Sequence, residues 1–408
     1  MNPEDPIGII ELGNKSLKCV IFKVNNDTTE ILSTSISASE GINNDVIVNI
    51  TKASNCIRSC ISNAEKEAKI SLKKINIILE QPDFLCTKFS KHKNIDGSKI
   101  QKYDIEFLLK EAKKQLILND KNQFIIHIFN HNYIVDGKSF VEEPVGVYAN
   151  SLTHEITFIT MPKNNLKNIQ QVFINCDIEI ERFFSRAFSL GVELFSDQEL
   201  ETGAGIIDLD FEKITLGLFK NLALVHSITF PFGINHLVKD VSKVCSLNSA
   251  EATNIIKTLD FSFENNDNLF DKDNYLKKKY FINSNFRKIS KDLIFNVIKA
   301  RLDEIVELID KQLNVLKFSL SSGLSFILEG AGLTLLNIDK YFINFHNLNL
   351  KKLNKNNVNK KEDFYKNFIS CFGAIKIIKD GWETEAIPEV VGKKTEKLGF
   401  LAKIFRSF

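Results

Sequence analysis

The chain has 408 residues, 44% hydrophobic and 25% charged, the balance of a soluble globular protein too long for a single core. Its net charge of +2 is local: Lys393, Lys394, Lys397, Lys403 and Arg406 stand against Glu396 in residues 393–408, and the remainder, net −2, offers no basic surface for nucleic acid. The seven cysteines are scattered without a CxxC pair, which excludes a zinc ribbon or a disulfide framework and fits a reducing, cytoplasmic setting. Residues 7–24, IGIIELGNKSLKCVIFKV, read as strand, tight turn, strand. Residues 30–50 add a strand and a turn. Residues 51–69 read as a helix, with Ile57, Ile61, Ala64 and Ala68 at helical spacing and Thr51 as its cap. Residues 75–80 are a short buried strand. No signal peptide precedes these elements, and no apolar run in the chain is long enough to cross a bilayer as a helix.

From about Phe84 to Thr160 the texture changes to a helix at 105–118 followed by β-rich stretches, a small α+β insert. A helix at 164–173 and the segment EIERFFSRAFSLGVELF lead to GIIDLDFEKITLGLF, a second strand–turn–strand unit. It opens on Asp208 as the first opens on Glu11. Two such hairpins predict an internally duplicated α/β fold with a cleft between the copies; the bland alternative is two unrelated hairpins. Beyond them come a strand, a Gly turn and a helix, and then a polar loop at 261–284. The longest helix, at 288–316, has Ile289, Leu293, Val297, Leu302, Ile305, Ile309 and Leu313 along one apolar side. A strand at 326–328 runs into Glu329-Gly330-Ala331-Gly332. Residues 346–363 are Asn/Lys-rich and read as a mobile loop, residues 368–378 as a final core helix, and Pro388 and Gly392 mark a linker. His127, His131 and His236 are not at ligand spacing and read as structural, as does Trp382.

The order of these elements resembles the actin-like bacterial cell-division family FtsA over nearly the whole chain. GINNDVIVNI resembles the family's segment before its first long helix, NHNYIVDG with EEPVGVYA its characteristic insert, FPFGINHLVKDVS its turn before a helix, and RKISKDLIFNVIKARLDEIVELI the long helix of its second lobe. The resemblance implies an actin-like (Hsp70/actin ATPase) duplicated fold. Residues 1–83 would form the first-lobe core, completed by about 161–195 and 366–380. Residues 84–160 would be the insert, and 196–365 the second lobe with an outer subdomain at about 228–300. A linker at 381–392 would lead to an amphipathic helix at 393–408.

It also implies an ATP and magnesium site, with Glu11, Gly13, Asn14, Ser16 and Lys18 on the first turn, Asp208 on the second, and Gly330 and Gly332 on the third. The chain departs from the family there. Glu11 replaces an Asp, Lys15 a small residue, Ala331 a Gly, and the second turn carries Asp210, Phe211 and Glu212 in place of glycines. Glycine lets backbone N–H groups approach phosphate closely, whereas carboxylates add bulk and like charge. Weak or absent ATP binding is therefore expected, and the chain leans away from being an enzyme. The resemblance further implies docking of the C-terminal peptide of the tubulin-like division protein FtsZ at Asn235, Arg301 and Glu304. It implies self-association into filaments and contacts with other division proteins through the insert.

The last residues carry the clearest physical signal. On a helical wheel Leu398, Phe400, Leu401, Ile404, Phe405 and Phe408 fall within an arc of roughly 160°. Lys397 precedes that face, and Lys403 and Arg406 oppose it. Such a helix lies in an anionic membrane surface rather than spanning it, and the family resemblance then implies a peripheral protein on the cytoplasmic side of the inner membrane at the division site. The alternative is a terminal helix docked on the protein's own core. Two functions from other classes compete with the scaffold reading: a catalytically active actin-like ATPase and an FtsA-like pilus-assembly protein, which should lack the basic tail.

Overall fold

Strands β1 (Ile7–Glu11) and β2 (Ser16–Asn25) pair antiparallel, with Glu11 opposite Lys18, as the apolar pattern of 7–24 predicts. The computed structural model describes residues 5–25, 28–315, 324–346, 349–351 and 360–380. The linker expected at 381–392, Trp382 and the amphipathic segment 393–408 lie outside the described residues.

Strand β3 (Thr28–Ala38) extends the hairpin, and β4 (Ile42–Asn43) and β5 (Val46–Ile47) make a small ribbon before α1 (Ile50–Ala68). Thr51 is not the cap of α1. Asn49 is, its Oδ1 accepting from the Lys52 N–H at 2.9 Å, so the helix starts one residue earlier. Helix α1 crosses over to β6 (Lys74–Leu79), which lies parallel to β1.

The insert follows, with β7 (Leu85–Lys99), α2 (Lys102–Asn119), β8 (Gln123–Val135), β9 (Lys138–Phe140) and β10 (Tyr148–Pro162). Its antiparallel sheet has the order β7-β10-β8-β9. Helix α2 lays Ile105, Leu108, Leu109, Ala112 and Leu116 on that sheet, packing against Ile95, Tyr133 and Leu152 towards one end and Phe89, Ile128, Ile156 and Phe158 towards the other. The spacing of these residues is that of one helical face, and each fully buried Leu or Ile contributes about 1.5–3 kcal/mol gross. The chain then returns through α3 (Lys163–Asn175) to β11 (Glu179–Ser185), which completes the order β11-β6-β1-β2-β3. Helices α4 (Arg186–Leu194) and α5 (Asp197–Thr202) follow.

The pattern then repeats. Strands β12 (Ala204–Leu209), β13 (Ile214–Lys220) and β14 (Ala223–Phe230) precede α6 (Ile234–Val244), α7 (Ser249–Thr258) and α8 (Lys291–Val315). Strand β15 (Ser325–Glu329) then pairs parallel with β12, giving the order β14-β13-β12-β15. A hairpin strand flanked by its antiparallel partner on one side and by a parallel strand on the other occurs in both copies, as expected of a duplicated α/β fold. Helices α9 (Ile338–His346), α10 (Lys360–Asn367) and α11 (Ile369–Lys379) end the described chain.

Two expectations in the second copy are corrected. Along α8 the buried residues are Ile294, Phe295, Ile298, Leu302, Ile305, Val306, Ile309 and Leu313, whereas Leu293 is 40% exposed, so the apolar stripe is shifted in its first turns. The 261–284 region has little regular structure but is not a solvated loop: Phe261, Leu269, Phe270, Leu276 and Tyr280 are buried in it. Within the Asn/Lys-rich stretch 346–363, residues from Lys360 onward are helical in α10, and 352–359 lie outside the described residues.

The described residues divide into two compact units, 5–203 with 217–228 and 360–380, and 204–216 with 229–351. The second lobe expected at 196–365 is wider than the second unit: residues 196–203 and 360–365 fall in the first unit, and so does 217–228. Phe219 explains the last of these: a Cβ on Gly191 would fall 2.0 Å from the Phe219 ring, so α4 and this strand meet through a glycine. Helix α11 meets α4 in the same unit still more closely, since a Cβ on Gly373 would lie 1.8 Å from the Ser189 carbonyl oxygen. Gly373→Ala should therefore destabilise the protein by about 2 kcal/mol or more, because backbone rather than a side chain must move. Urea denaturation followed by circular dichroism checks this, and an unchanged midpoint refutes the contact.

Candidate functional site

In the first unit the turn after β1 gathers part of the expected set. Glu11 is 5% exposed, and both of its carboxylate oxygens are engaged. Oε1 accepts from the Arg186 guanidinium. Oε2 lies 3.3 Å from Lys18 Nζ and accepts from Ser370 Oγ at 2.6 Å. Burial alone would push the Glu11 carboxyl up; Arg186, then Lys18 and Ser370, outweigh it and hold the group at about 2. Asn14 uses Oδ1 to accept from the Asn44 N–H at 3.3 Å. Gly13 is required by a close approach, since a Cβ there would stand 2.6 Å from the Ser16 carbonyl oxygen.

Arg186 and Ser370 were not singled out by the sequence reading. Arg186 sits in the first turn of α4, in a stretch that reads as ordinary amphipathic helix. Its position is fixed by neighbours on both sides. Ser185 caps the helix, Glu80 Oε2 accepts from Ser185 Oγ at 2.6 Å and from the Ala187 N–H at 3.0 Å, and His127 Nε2 accepts from the Ser185 N–H at 2.9 Å. A carboxylate on the first N–H groups of a helix also meets the positive end of its dipole. His127 is fully buried, and burial with nearby Arg182 keeps it neutral, in line with the structural role expected for it.

In the second unit Asp208, Gly330 and Gly332 come together. Asp208 and Glu329 are paired at the ends of β12 and β15. Gly330 has φ +95°, and a Cβ on it would meet Asp208 Oδ1 at 2.5 Å; one on Gly332 would meet Leu209 Cβ at 2.7 Å. The second turn is committed to its own fold. The Asp210 N–H donates to the Lys213 carbonyl at 3.0 Å and the Phe211 N–H to the Asp210 carboxylate at 2.7 Å, while the Asp210 and Phe211 carbonyls accept from Ile234 and Asn235.

These residues fit magnesium nucleotide poorly. A carboxylate that holds a hydrated metal needs free lone pairs, and Glu11 presents its oxygens to protein donors. A phosphate cradle needs N–H groups, and two of those in the second turn are already used.

Asn235, Arg301 and Glu304 occupy a third place, also in the second unit. Arg301 Nε donates to Asp240 Oδ2 at 2.7 Å and its guanidinium also bonds Glu304, tying α8 to α6; Asn235 Nδ2 donates to Glu212 Oε1 at 2.8 Å. Asp240 was missing from the sequence reading. A depression that includes Glu304 is lined on its polar side by Asp303, Glu304, Glu307 and Asp310, an acidic strip on the helix that carries Arg301. Lys397, Leu398, Phe400, Leu401, Lys403, Ile404, Phe405, Arg406 and Phe408 lie outside the described residues. Among the described residues no helix is long and apolar enough to cross a membrane, and no cluster of His, Cys, Asp and Glu is arranged to hold a metal ion.

Comparison with known proteins agrees with this architecture. Residues 85–160 match the family model described as the SHS2 domain inserted in FtsA, the boundaries of the β7–β10 unit. The chain is 25% identical over 313 residues to the cell division protein FtsA of Buchnera aphidicola from Schizaphis graminum, covering 74% of this chain and 72% of that one. It is 26% identical over 239 residues to FtsA of Streptococcus pneumoniae, covering 58% of this chain and about half, 51%, of that one. Among solved structures, the PilM–PilN type IV pilus biogenesis complex superposes with a TM-score of 0.61 at 10% identity, covering 93% of this chain and 98% of that one, a likeness of fold alone. The chain is thus a duplicated, actin-like α/β protein with an SHS2 insert. In sequence it is similar to the FtsA cell-division proteins, and its insert matches the SHS2 domain found in them.

The Glu11 network sets a pH dependence. Because the folded carboxyl is held near 2 rather than the ordinary 4.5, it contributes stability that is complete above about 4.5 and lost as pH falls towards 2. Glu251 is also held near 2, by Ser284 and neighbouring N–H groups against the opposing effect of burial, and acts in the same window. Melting temperature should fall steeply across that window, and Glu11→Gln should flatten the fall while lowering stability at neutral pH. Parallel melting curves for the two proteins would count against the network.

Proposed function

We propose that this chain is a division scaffold that tethers the FtsZ ring to the cytoplasmic membrane at the division site and helps recruit later division proteins. The observation that carries the reading is the SHS2 insert matched at 85–160 within an actin-like duplicated frame. The basic, amphipathic sequence of 393–408 supplies the tether. In this reading ATP turnover is not the function, and subunits associate into filaments on the membrane. The catalytic ATPase alternative finds no support in the engaged Glu11 carboxylate. The pilus-assembly alternative rests on the fold likeness alone.

Six apolar side chains entering the interface contribute on the order of 10 kcal/mol gross before ordering costs, and each basic residue adds about 1 kcal/mol near anionic lipid. The full chain should co-sediment with liposomes containing phosphatidylglycerol, and electron microscopy of the same samples should show strings of subunits. Leu401→Glu and Phe405→Glu should each leave the protein in the supernatant. Undiminished sedimentation of both variants would remove the tether, and dispersed monomers at high coverage would remove the filament.

The FtsZ peptide is acidic and apolar, so its recognition at this place draws on the Arg301 guanidinium. Arg301→Glu should weaken binding of the peptide about tenfold or more in a fluorescence-anisotropy titration. A melting temperature measured alongside separates lost recognition from loss of the Arg301–Asp240 tie. An unchanged dissociation constant in a folded variant places the peptide elsewhere.

A further inference from the structure

The first turn has a feature that the family resemblance does not predict. Its carboxylate is already neutralised, and the groups that do so are built into regular structure. Lys18 faces Glu11 directly across the β1–β2 ladder. Arg186 is held in the first turn of α4 by the Ser185 cap and the Glu80 carboxylate. Ser370 arrives on α11, whose crossing with α4 is fixed by the Gly373 approach to Ser189. None of the three is a flexible surface group that swings aside at low cost. Two cations face the Glu11 carboxylate without any added metal.

We propose that Arg186 and Lys18 are permanent internal counter-ions of Glu11, taking the place of the hydrated magnesium that a nucleotide would bring, so that the first unit is assembled without either ligand. Releasing Glu11 to a metal would break its buried pair with Arg186, and removing one partner of a buried pair is strongly unfavourable. Charge of the same sign as the metal already occupies its neighbourhood, so magnesium meets repulsion where the family's site offers attraction. The proposal uses the family resemblance only to name the ligand that is replaced; it does not depend on the membrane or FtsZ reading.

The test uses the full chain and its melting temperature in EDTA, in magnesium chloride and in magnesium with ATP. A ligand present at 100 times its dissociation constant stabilises a protein by about 2.7 kcal/mol, which is a shift of several degrees. The wild type should shift by less than about 1 °C between the three conditions. Arg186→Met should lower the melting temperature by about 5 °C or more, and Glu11→Gln with Arg186→Met should recover a large part of that loss, because the two residues form one pair. If Arg186→Met does not fold, the wild-type comparison and the double variant still decide. A rise of several degrees in the wild type with magnesium and ATP overturns the proposal, as does a double variant no more stable than Arg186→Met. Liposome sedimentation of the double variant separates this result from the scaffold reading, since failure of one leaves the other standing.

Discussion

A buried carboxylate bound by two cations and a hydroxyl is the constraint on which the first unit turns. Glu11 ends the central strand β1, and its partners come from β2, α4 and α11, residues separated from it by 7, 175 and 359 positions. Taking such a charge out of water costs several kcal/mol, which only correctly placed opposite charges offset. The cluster therefore stabilises one arrangement of strand and helices more than it stabilises the folded state in general. Glu80 extends the constraint, because the residue that places Arg186 also donates its own N–H to Asp45 Oδ2 at 3.0 Å.

The second unit solves the same geometrical problem without that network. There the strand ends at Asp208 and the neighbouring parallel strand delivers Gly330 and Gly332 against Leu209 and Asp208. Close approach of backbone contributes to the geometry, and the second turn is closed by its own N–H groups and by the start of α6. Duplication of topology is thus compatible with divergence of chemistry. Strand order is fixed by apolar alternation and crossover handedness, which tolerate many side chains, while the turn at each strand end is free to change.

That division also explains what was legible in the sequence. The two hairpins, α1, the insert and α11 follow from period-two and period-3.6 apolar patterns, and the insert was bounded within a residue or so of the family match. The residues expected on the first turn lie at the β1–β2 turn and on β2, but their contacts run to Arg186 and Ser370, which no local pattern distinguishes from neighbours on an ordinary helix. The 261–284 region was misread for a related reason. It is held by Glu251, whose Oε1 accepts from the Ile282, Asn283 and Ser284 N–H groups at 2.7, 2.8 and 2.9 Å, with buried aromatics scattered without period. Contacts of long sequence separation made by single polar residues leave no periodic trace. The apolar stripe of α8 was visible, but its phase was not, because Leu293 and Ile294 are adjacent and equally apolar.

A ligand shifts a conformational equilibrium only by its difference in affinity between the two states. In a family frame the difference would come from a nucleotide and its metal bound to carboxylates that are otherwise unsatisfied. On the proposed counter-ion role of Arg186 and Lys18, the Glu11 carboxylate gains nothing from a metal that its two cations do not already supply, and nucleotide then has little free energy with which to favour one state of the first unit. Regulation of an assembly built from such a chain must then act where binding energy remains uncommitted. In the proposed scaffold reading the basic and apolar sequence of 393–408 is that place, since apolar transfer alone contributes on the order of 10 kcal/mol gross and anionic lipid adds to it. Binding at a surface also raises the effective concentration of subunits relative to one another, which couples membrane attachment to self-association without any change in the fold.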